Sequence, residues 1–137
     1  MPNDAVLYNV KDAVATISLN RPKALNALNK DLTEGLVAAV DKAASDPNAR
    51  CVVLTSSSDH FMAGGDLMMF KGWLDEGVEV AQENLLGVFD AVHSTVKKIK
   101  TMDKPVIVSV DGAVAGFGLS LMLACDLAIA AESAAFT

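Results

Sequence analysis

An α/β domain with a parallel sheet is the fold class this sequence predicts, and three observations predict it. From residue 13 onward, strand-like and helix-like segments alternate, the order that builds a parallel sheet with right-handed crossovers. Cys51–Ser56 and Pro105–Val110 are apolar, β-branched runs of the kind found in strands buried on both faces. Each of these runs exits into a glycine loop that opens a helix. The loops are His60-Phe61-Met62-Ala63-Gly64-Gly65-Asp66-Leu67 and Asp111-Gly112-Ala113-Val114-Ala115-Gly116-Phe117-Gly118.

Element by element, residues 5–9 and 13–19 read as short strands joined by a turn through Lys11-Asp12. Pro22 then breaks the pattern by biasing Arg21 away from helical angles. Asn29 is a candidate N-cap for a helix in which Leu32, Leu36, Val40 and Ala43 recur at helical spacing, ending near Asp46-Pro47-Asn48. Cys51–Ser56 is the next strand, and residues 68–76 show no readable preference. Residues 78–100 read as a long helix with Leu85, Val88, Phe89, Val92, Val96 and Ile99 on one face. Lys104-Pro105 starts another buried strand, residues 117–125 a short apolar helix, residues 126–131 a further strand, and residues 134–137 the opening of one more. A chain that stops as a strand begins is expected to be the front of a larger protein.

Composition narrows the function classes. The 137 residues fit one domain that buries about two-thirds of its unfolded surface. With 52% apolar residues and 20% charged, disorder is not expected. A net charge of -6 without a basic block argues against nucleic acid, though a local basic rim could still hold an anionic ligand. Cys51 and Cys125 lie in apolar runs without metal or disulfide spacing, which fits buried thiols in a reducing compartment. No signal-peptide pattern precedes them, and the uncharged stretch 112–125 is shorter than the roughly 20 residues a membrane span needs. A cytoplasmic protein with no metal is the expectation.

A strand that ends in a glycine turn and begins a helix leaves backbone N–H groups without intrahelical partners. Two such ends side by side would aim two amide donors at one point, which is how an oxyanion hole is built. In parallel sheets ligands sit beyond the carboxyl ends of the strands, where both loops fall. Neither loop matches a dinucleotide or nucleotide phosphate motif. Glycine also serves plain tight turns, so the loops alone leave a thioester enzyme and a generic α/β domain both open.

Three ordered motifs carry a family resemblance. They are Arg21-Pro22-Lys23-Ala24-Leu25-Asn26-Ala27-Leu28; then Phe61-Met62-Ala63-Gly64-Gly65-Asp66-Leu67; and then Lys104-Pro105-Val106-Ile107 through Gly112, Gly116, Gly118 and Ala124-Cys125-Asp126. In order and spacing, over nearly the whole chain, they resemble the crotonase (enoyl-CoA hydratase/isomerase) superfamily. The resemblance implies the ClpP/crotonase spiral of ββα units, with residues 1–137 as its N-terminal core, truncated before the C-terminal helical region used for trimerisation. It also implies a trimer or hexamer of the full-length protein, an acyl-CoA substrate whose coenzyme A is part of the substrate, and no separate cofactor.

Carried over by position, the resemblance makes the N–H groups of Gly65 and Phe117 the donors to the thioester oxygen. Phe117 departs from the family's usual glycine, but the donor is backbone, and its ring could narrow the acyl pocket. Lys23, Ala24 and Leu25 are implied near the adenine end of the coenzyme, with Ala63, Asp66, Leu67, Met68 and Gly116 lining the rest of the groove. Arg21 and Lys23 are the nearest cations for a polyanionic ligand. Hydratases of the family carry a glutamate two residues after the last glycine of the second motif, where this chain has Ser120. The second family carboxylate falls beyond Thr137.

Double-bond isomerisation of an enoyl thioester is therefore the expected reaction, favoured over hydration. A non-catalytic acyl-CoA-binding module stays open as an alternative. Serine hydrolysis by Ser120 is a third reading, without the Gly-x-Ser-x-Gly turn and without an obvious base in His60 or His93. His60 reads as a turn residue, His93 as structural, and Asp126 as a buried hydrogen-bonding group.

Overall fold

The computed structural model describes residues 3–137. Its main sheet has five strands in the order β1-β2-β3-β4-β6: β1 (Val6–Lys11), β2 (Val14–Leu19), β3 (Cys51–Ser56), β4 (Val106–Val110) and β6 (Leu127–Ala130). β1 runs antiparallel to β2, and all other neighbours are parallel, so the sheet is mixed. The β1–β2 turn falls on Asp12-Ala13, one residue later than the sequence suggested. Both residues have positive φ (51° and 63°), the twist that suits a two-residue hairpin loop.

Three crossovers place the helices. α1 (Lys30–Ser45) joins β2 to β3, with the Asn29 side chain accepting the Leu32 N–H as its N-cap. Its C-terminal carbonyls of Ala43 and Asp46 accept from Lys104 Nζ at 2.7 and 2.6 Å, which ties the helix end to the start of β4. α2 (Leu67–Glu76) and α3 (Val78–Thr101) join β3 to β4, and α4 (Phe117–Ala124) joins β4 to β6. α3 packs against α1 on one side and α4 on the other, so these helices share one face of the sheet. The core lies beneath them, with Ile17, Leu19, Leu32, Leu36, Leu54, Val108 and Leu121 fully buried.

Several sequence expectations change on contact with the structure. Residues 67–76, unreadable in the sequence, form α2, and the Asp66 carboxylate caps it by accepting from the Met68 and Met69 N–H groups. No residue of α2 is buried, so the helix has no core stripe to announce it. β3 and β4 alternate buried with half-buried residues and are not covered equally on both faces. All four residues of β6 are exposed, including Leu127 and Ile129, because it is the sheet edge. Asp126 precedes β6 and holds it in register, its Oδ2 accepting the Val106 N–H at 2.7 Å, although the residue itself is exposed. The second glycine loop contains a two-residue strand, β5 (Ala113–Val114), paired in parallel with β7 (Ala135–Phe136) in a separate small sheet.

Three ionisable groups away from the site are perturbed, the Asp46 carboxyl being held below its ordinary value chiefly by the hydrogen bond from the Asn48 N–H. Burial, followed by the hydrogen bond to Asp46 and that carboxylate's charge, pushes the Tyr8 hydroxyl up to about 12. Burial, with Asp126 adding to it, pushes the Cys125 thiol up to about 12 as well. Among the described residues no helix is long and apolar enough to cross a membrane.

Candidate active site

The two glycine loops meet at the carboxyl ends of β3 and β4. Phe61 N–H donates to Asp111 O at 2.8 Å, Met62 N–H to Ala113 O at 2.9 Å, and Ala115 N–H to Met62 O at 2.8 Å. The loops also touch glycine to glycine: a Cβ added to Gly116 would stand 3.3 Å from the Gly64 Cα. Both residues have positive φ (100° and 53°), so glycine meets a conformational and a steric demand at once. His60 braces the junction, its Nδ1 accepting the Ala113 N–H at 3.1 Å. The histidine is part of the loop scaffold, as its turn position suggested.

The first motif holds the other side. Ala63 N–H donates to Leu25 O, Leu28 N–H to Gly64 O and Asp66 N–H to Leu28 O, at 3.0, 2.7 and 3.0 Å. Residues 23–25 and 63–68, expected along one ligand groove, are thus brought together on one edge of the site. Lys23 and Leu25 are exposed, Ala24 and Ala63 half-buried, and Leu67 and Met68 stand largely in solvent. Arg21 and Asp66 are engaged with each other: the guanidinium meets Asp66 Oδ2 at 3.1 Å and also donates to Ala27 O. Arg21 is therefore a partnered cation, whereas Lys23 joins none of the ion pairs among the described residues.

Asn26 is the residue the motif contained but whose task the sequence did not reveal. It is fully buried at φ 52°. Its Oδ1 accepts the Arg21 N–H at 2.7 Å, and its Nδ2 faces Ser56 Oγ, His60 O and Phe61 O at 2.8–2.9 Å. One side chain thus locks the end of β3, the first motif and the first loop together. An Asn a few residues after Pro22, in a turn that needs a left-handed residue, was the available signal.

Gly65 and Phe117 lie on the wall of one cavity of about 770 Å³. In the first turn of α4 the N–H groups of Gly118, Leu119 and Ser120 donate to Ala115 O, Gly116 O and Gly116 O. Among the described residues Phe117 N–H has no such acceptor, and neither has Gly65 N–H, whose neighbours Leu28 and Asp66 complete the adjoining bridge. The phenyl ring of Phe70 stands over Gly65, close enough that an added Cβ would lie 2.6 Å from a ring carbon. Phe117 is half-buried, Gly116 exposed, and Ser120 exposed on the cavity wall.

The rest of the wall comes from α2 and α3. Of the stripe read on one face of α3, Leu85, Val88, Phe89, Val92 and Val96 line the cavity, and of these only Val92 is buried. Ile99, the last member of that stripe, is buried with Val92 and Thr95. His93 stacks on Phe89 with ring centroids 6.3 Å apart and reaches the same wall, so it is a cavity residue and not a core one. With Gln82 and Ser120 it makes up the polar side chains of the wall, which contains no Asp, Glu, Lys or Arg. Among the described residues no cluster of side chains suits a metal ion.

Comparison with known proteins places this architecture. Residues 9–137 match the family model described as enoyl-CoA hydratase/isomerase. A trans-2-decenoyl-[acyl-carrier-protein] isomerase of Streptococcus mutans is 32% identical over 131 residues, covering 96% of this chain and 49% of that protein. A crotonyl-CoA hydratase of Syntrophomonas wolfei is 33% identical over 137 residues, covering 99% and 50%. The crystal structure of an enoyl-CoA hydratase from Polaromonas superposes with a TM-score of 0.84 at 33% identity, covering 96% of this chain and 49% of that one. The chain thus spans about half the length of the curated relatives it matches. With the family model matching nearly every residue and the crotonase fold shared over the same span, the chain belongs to the enoyl-CoA hydratase/isomerase family.

Proposed function

We propose that this site binds an acyl-CoA thioester with its carbonyl oxygen between the N–H groups of Gly65 and Phe117, and stabilises the enolate formed when an α-proton leaves. The observation that carries the reading is the pair of unengaged amides on one largely apolar cavity wall. As the α-proton leaves, charge moves onto the carbonyl oxygen. Two pre-aimed donors then contribute several kcal/mol, because no reorganisation is needed at the moment of reaction. Phe117 opens α4, so the positive end of that helix dipole acts at the same point. Lys23, free of an ion partner on the site's edge, is the cation available to the ligand's phosphates.

Isomerisation of an enoyl thioester is favoured over hydration. Hydration needs groups that hold and deprotonate a water, and the position expected for the first glutamate carries Ser120. Isomerisation needs a single base, which takes one proton from the α-carbon and returns one two carbons along with the enolate held between, the role that the resemblance gives to the second family carboxylate. Spectrophotometric assays with matched 2-enoyl and 3-enoyl thioesters test this. Conversion of the 3-enoyl isomer to the conjugated 2-enoyl product is the expected result, and rapid hydration of the 2-enoyl substrate would refute the preference.

One observation favours a second reading, a binder without catalysis: the wall holds no carboxylate. Exchange of the α-proton of a saturated acyl-CoA into deuterated water separates the two. A catalyst washes the deuterium in, whereas a binder shows calorimetric heat and no exchange. Assembly into a trimer is proposed from the family resemblance. The exposed Leu127, Ile129 and Phe136 along the β6 and β7 edges supply apolar surface for association.

A further inference from the structure

The thioester reading leaves the acyl group unnamed, and the relatives' names span crotonyl and decenoyl groups. Resting on that reading, the geometry points to a long, unbranched apolar acyl chain, laid along α3 from the Gly65–Phe117 amides towards the α2–α3 junction.

Size is the first argument. The cavity of about 770 Å³ sits in the upper part of the roughly 300–1,000 Å³ range that whole small-molecule ligands occupy. Its wall follows one stripe of α3 from Val78 to Val96, which at a rise of 1.5 Å per residue is a trough about 27 Å long. A crotonyl group would fill only the end beside the amides. The remainder would be left to water with few hydrogen-bonding partners.

Chemistry is the second. Phe70, Trp73 and Leu74 of α2 line the trough together with Leu85 of α3, and Phe70 and Trp73 lie 5.9 Å apart between ring centroids. With no charged side chain on the wall, an acyl group bearing its own carboxylate would lose its hydration without a counter-charge. Position is the third argument. The Phe70 ring stands directly over Gly65, so the apolar trough begins where the proposed oxyanion site ends. A chain leaving the thioester carbonyl passes straight into it.

Calorimetry with the protein and a series of saturated thioesters (butyryl-, hexanoyl-, octanoyl- and decanoyl-CoA, with succinyl-CoA and free coenzyme A as controls) tests the inference. The expected result is a gain of about fourfold in affinity per added methylene, the equivalent of ~0.8 kcal/mol for each CH₂ buried, continuing through decanoyl. Trp73→Ala should flatten the series at its long end, lowering the decanoyl-to-butyryl affinity ratio. A series no steeper than twofold from butyryl to decanoyl would overturn the inference, as would succinyl-CoA binding as tightly as hexanoyl-CoA. A slope that disappears as protein concentration rises would show the trough filled by a second copy, and would overturn it too. The thioester reading fails separately: it falls, and the inference with it, if no acyl-CoA binds better than free coenzyme A. A flat series of tight binders removes the chain-length inference alone.

Discussion

Replacing Phe117 by proline removes one amide hydrogen and asks whether that hydrogen does the work proposed for it. Phe117 is the first residue of α4, a position where proline is favoured because its missing N–H has no intrahelical partner. The following N–H groups, of Gly118, Leu119 and Ser120, keep their acceptors, so the substitution breaks no hydrogen bond of the fold. Gly116 precedes it at φ 53° and ψ −121°, already outside the helical angles that proline forbids to its predecessor. The ring is lost as well, and Phe117→Ala, which keeps the N–H, controls for that.

The two variants should therefore match in stability to within about 1 kcal/mol and differ in chemistry. Losing one of two donors to a developing oxyanion costs about 10²–10³ in turnover. Losing one hydrogen bond to a neutral ground-state carbonyl costs only about 0.5–1.5 kcal/mol, so affinity falls far less than rate. A thioester whose chromophore is conjugated with the carbonyl supplies a second readout, since polarisation by the amides reddens its absorption. The expected pattern is a red shift kept by Phe117→Ala and diminished in Phe117→Pro, with α-proton exchange slowed about a hundredfold or more between them. Equal spectra and equal exchange rates in the two variants would refute the oxyanion assignment, whatever their absolute values.

Asn26→Ala strands the Arg21 N–H and Phe61 O in a buried site and places alanine at positive φ, so it should cost about 3 kcal/mol and lower the urea midpoint by roughly 1–3 M; a shift under about 0.3 M would show the network to be dispensable. Gly112→Ala would set a Cβ 2.1 Å from Asp59 O at φ 53° and should destabilise by more than about 3 kcal/mol in a thermal melt, whereas Gly87→Ala, in the open interior of α3, should stabilise by about 0.5–1 kcal/mol. Tyr8 is the only tyrosine, so its phenolate absorbance reports one group and should appear near pH 12. Because its folded value lies above the ordinary 10, the stability it contributes is complete below pH 10 and is lost as the pH rises towards 12; a phenolate transition at pH 10 in the native protein would remove that contribution.

What the sequence revealed follows from how each element is stabilised. α1, β3, β4 and α3 were legible because each carries a long apolar pattern, and for α1 the Asn29 cap added a boundary. α2 was not, because none of its residues is buried and its single strong signal, the Asp66 cap, sat inside a loop motif with another apparent use. β7 was legible as the strand opening at residues 134–137, whereas β5, two residues inside a glycine loop, exists only through its pairing with β7, with Ala135 N–H on Gly112 O and Thr137 N–H on Val114 O. No local pattern encodes a partner twenty residues away.

The site divides along the same line. Backbone donors can be proposed from loop motifs, since glycine and helix-start chemistry write them into local sequence, and the N–H groups of Gly65 and Phe117, proposed in this way, have no backbone acceptor among the described residues. The cavity wall is not legible in this way, because a helix stripe that faces a core and one that faces a ligand obey the same period. Leu85, Val88, Phe89 and Val96 have the spacing of core residues, and only the geometry of α2 across from them leaves the space open. His93 follows from this: on a core stripe it would be an awkward buried imidazole, and on a cavity wall it is an exposed polar group among apolar ones. In this chain the apolar stripe beside His93 lines a cavity, and the helical period alone does not distinguish that from a stripe that seals a core.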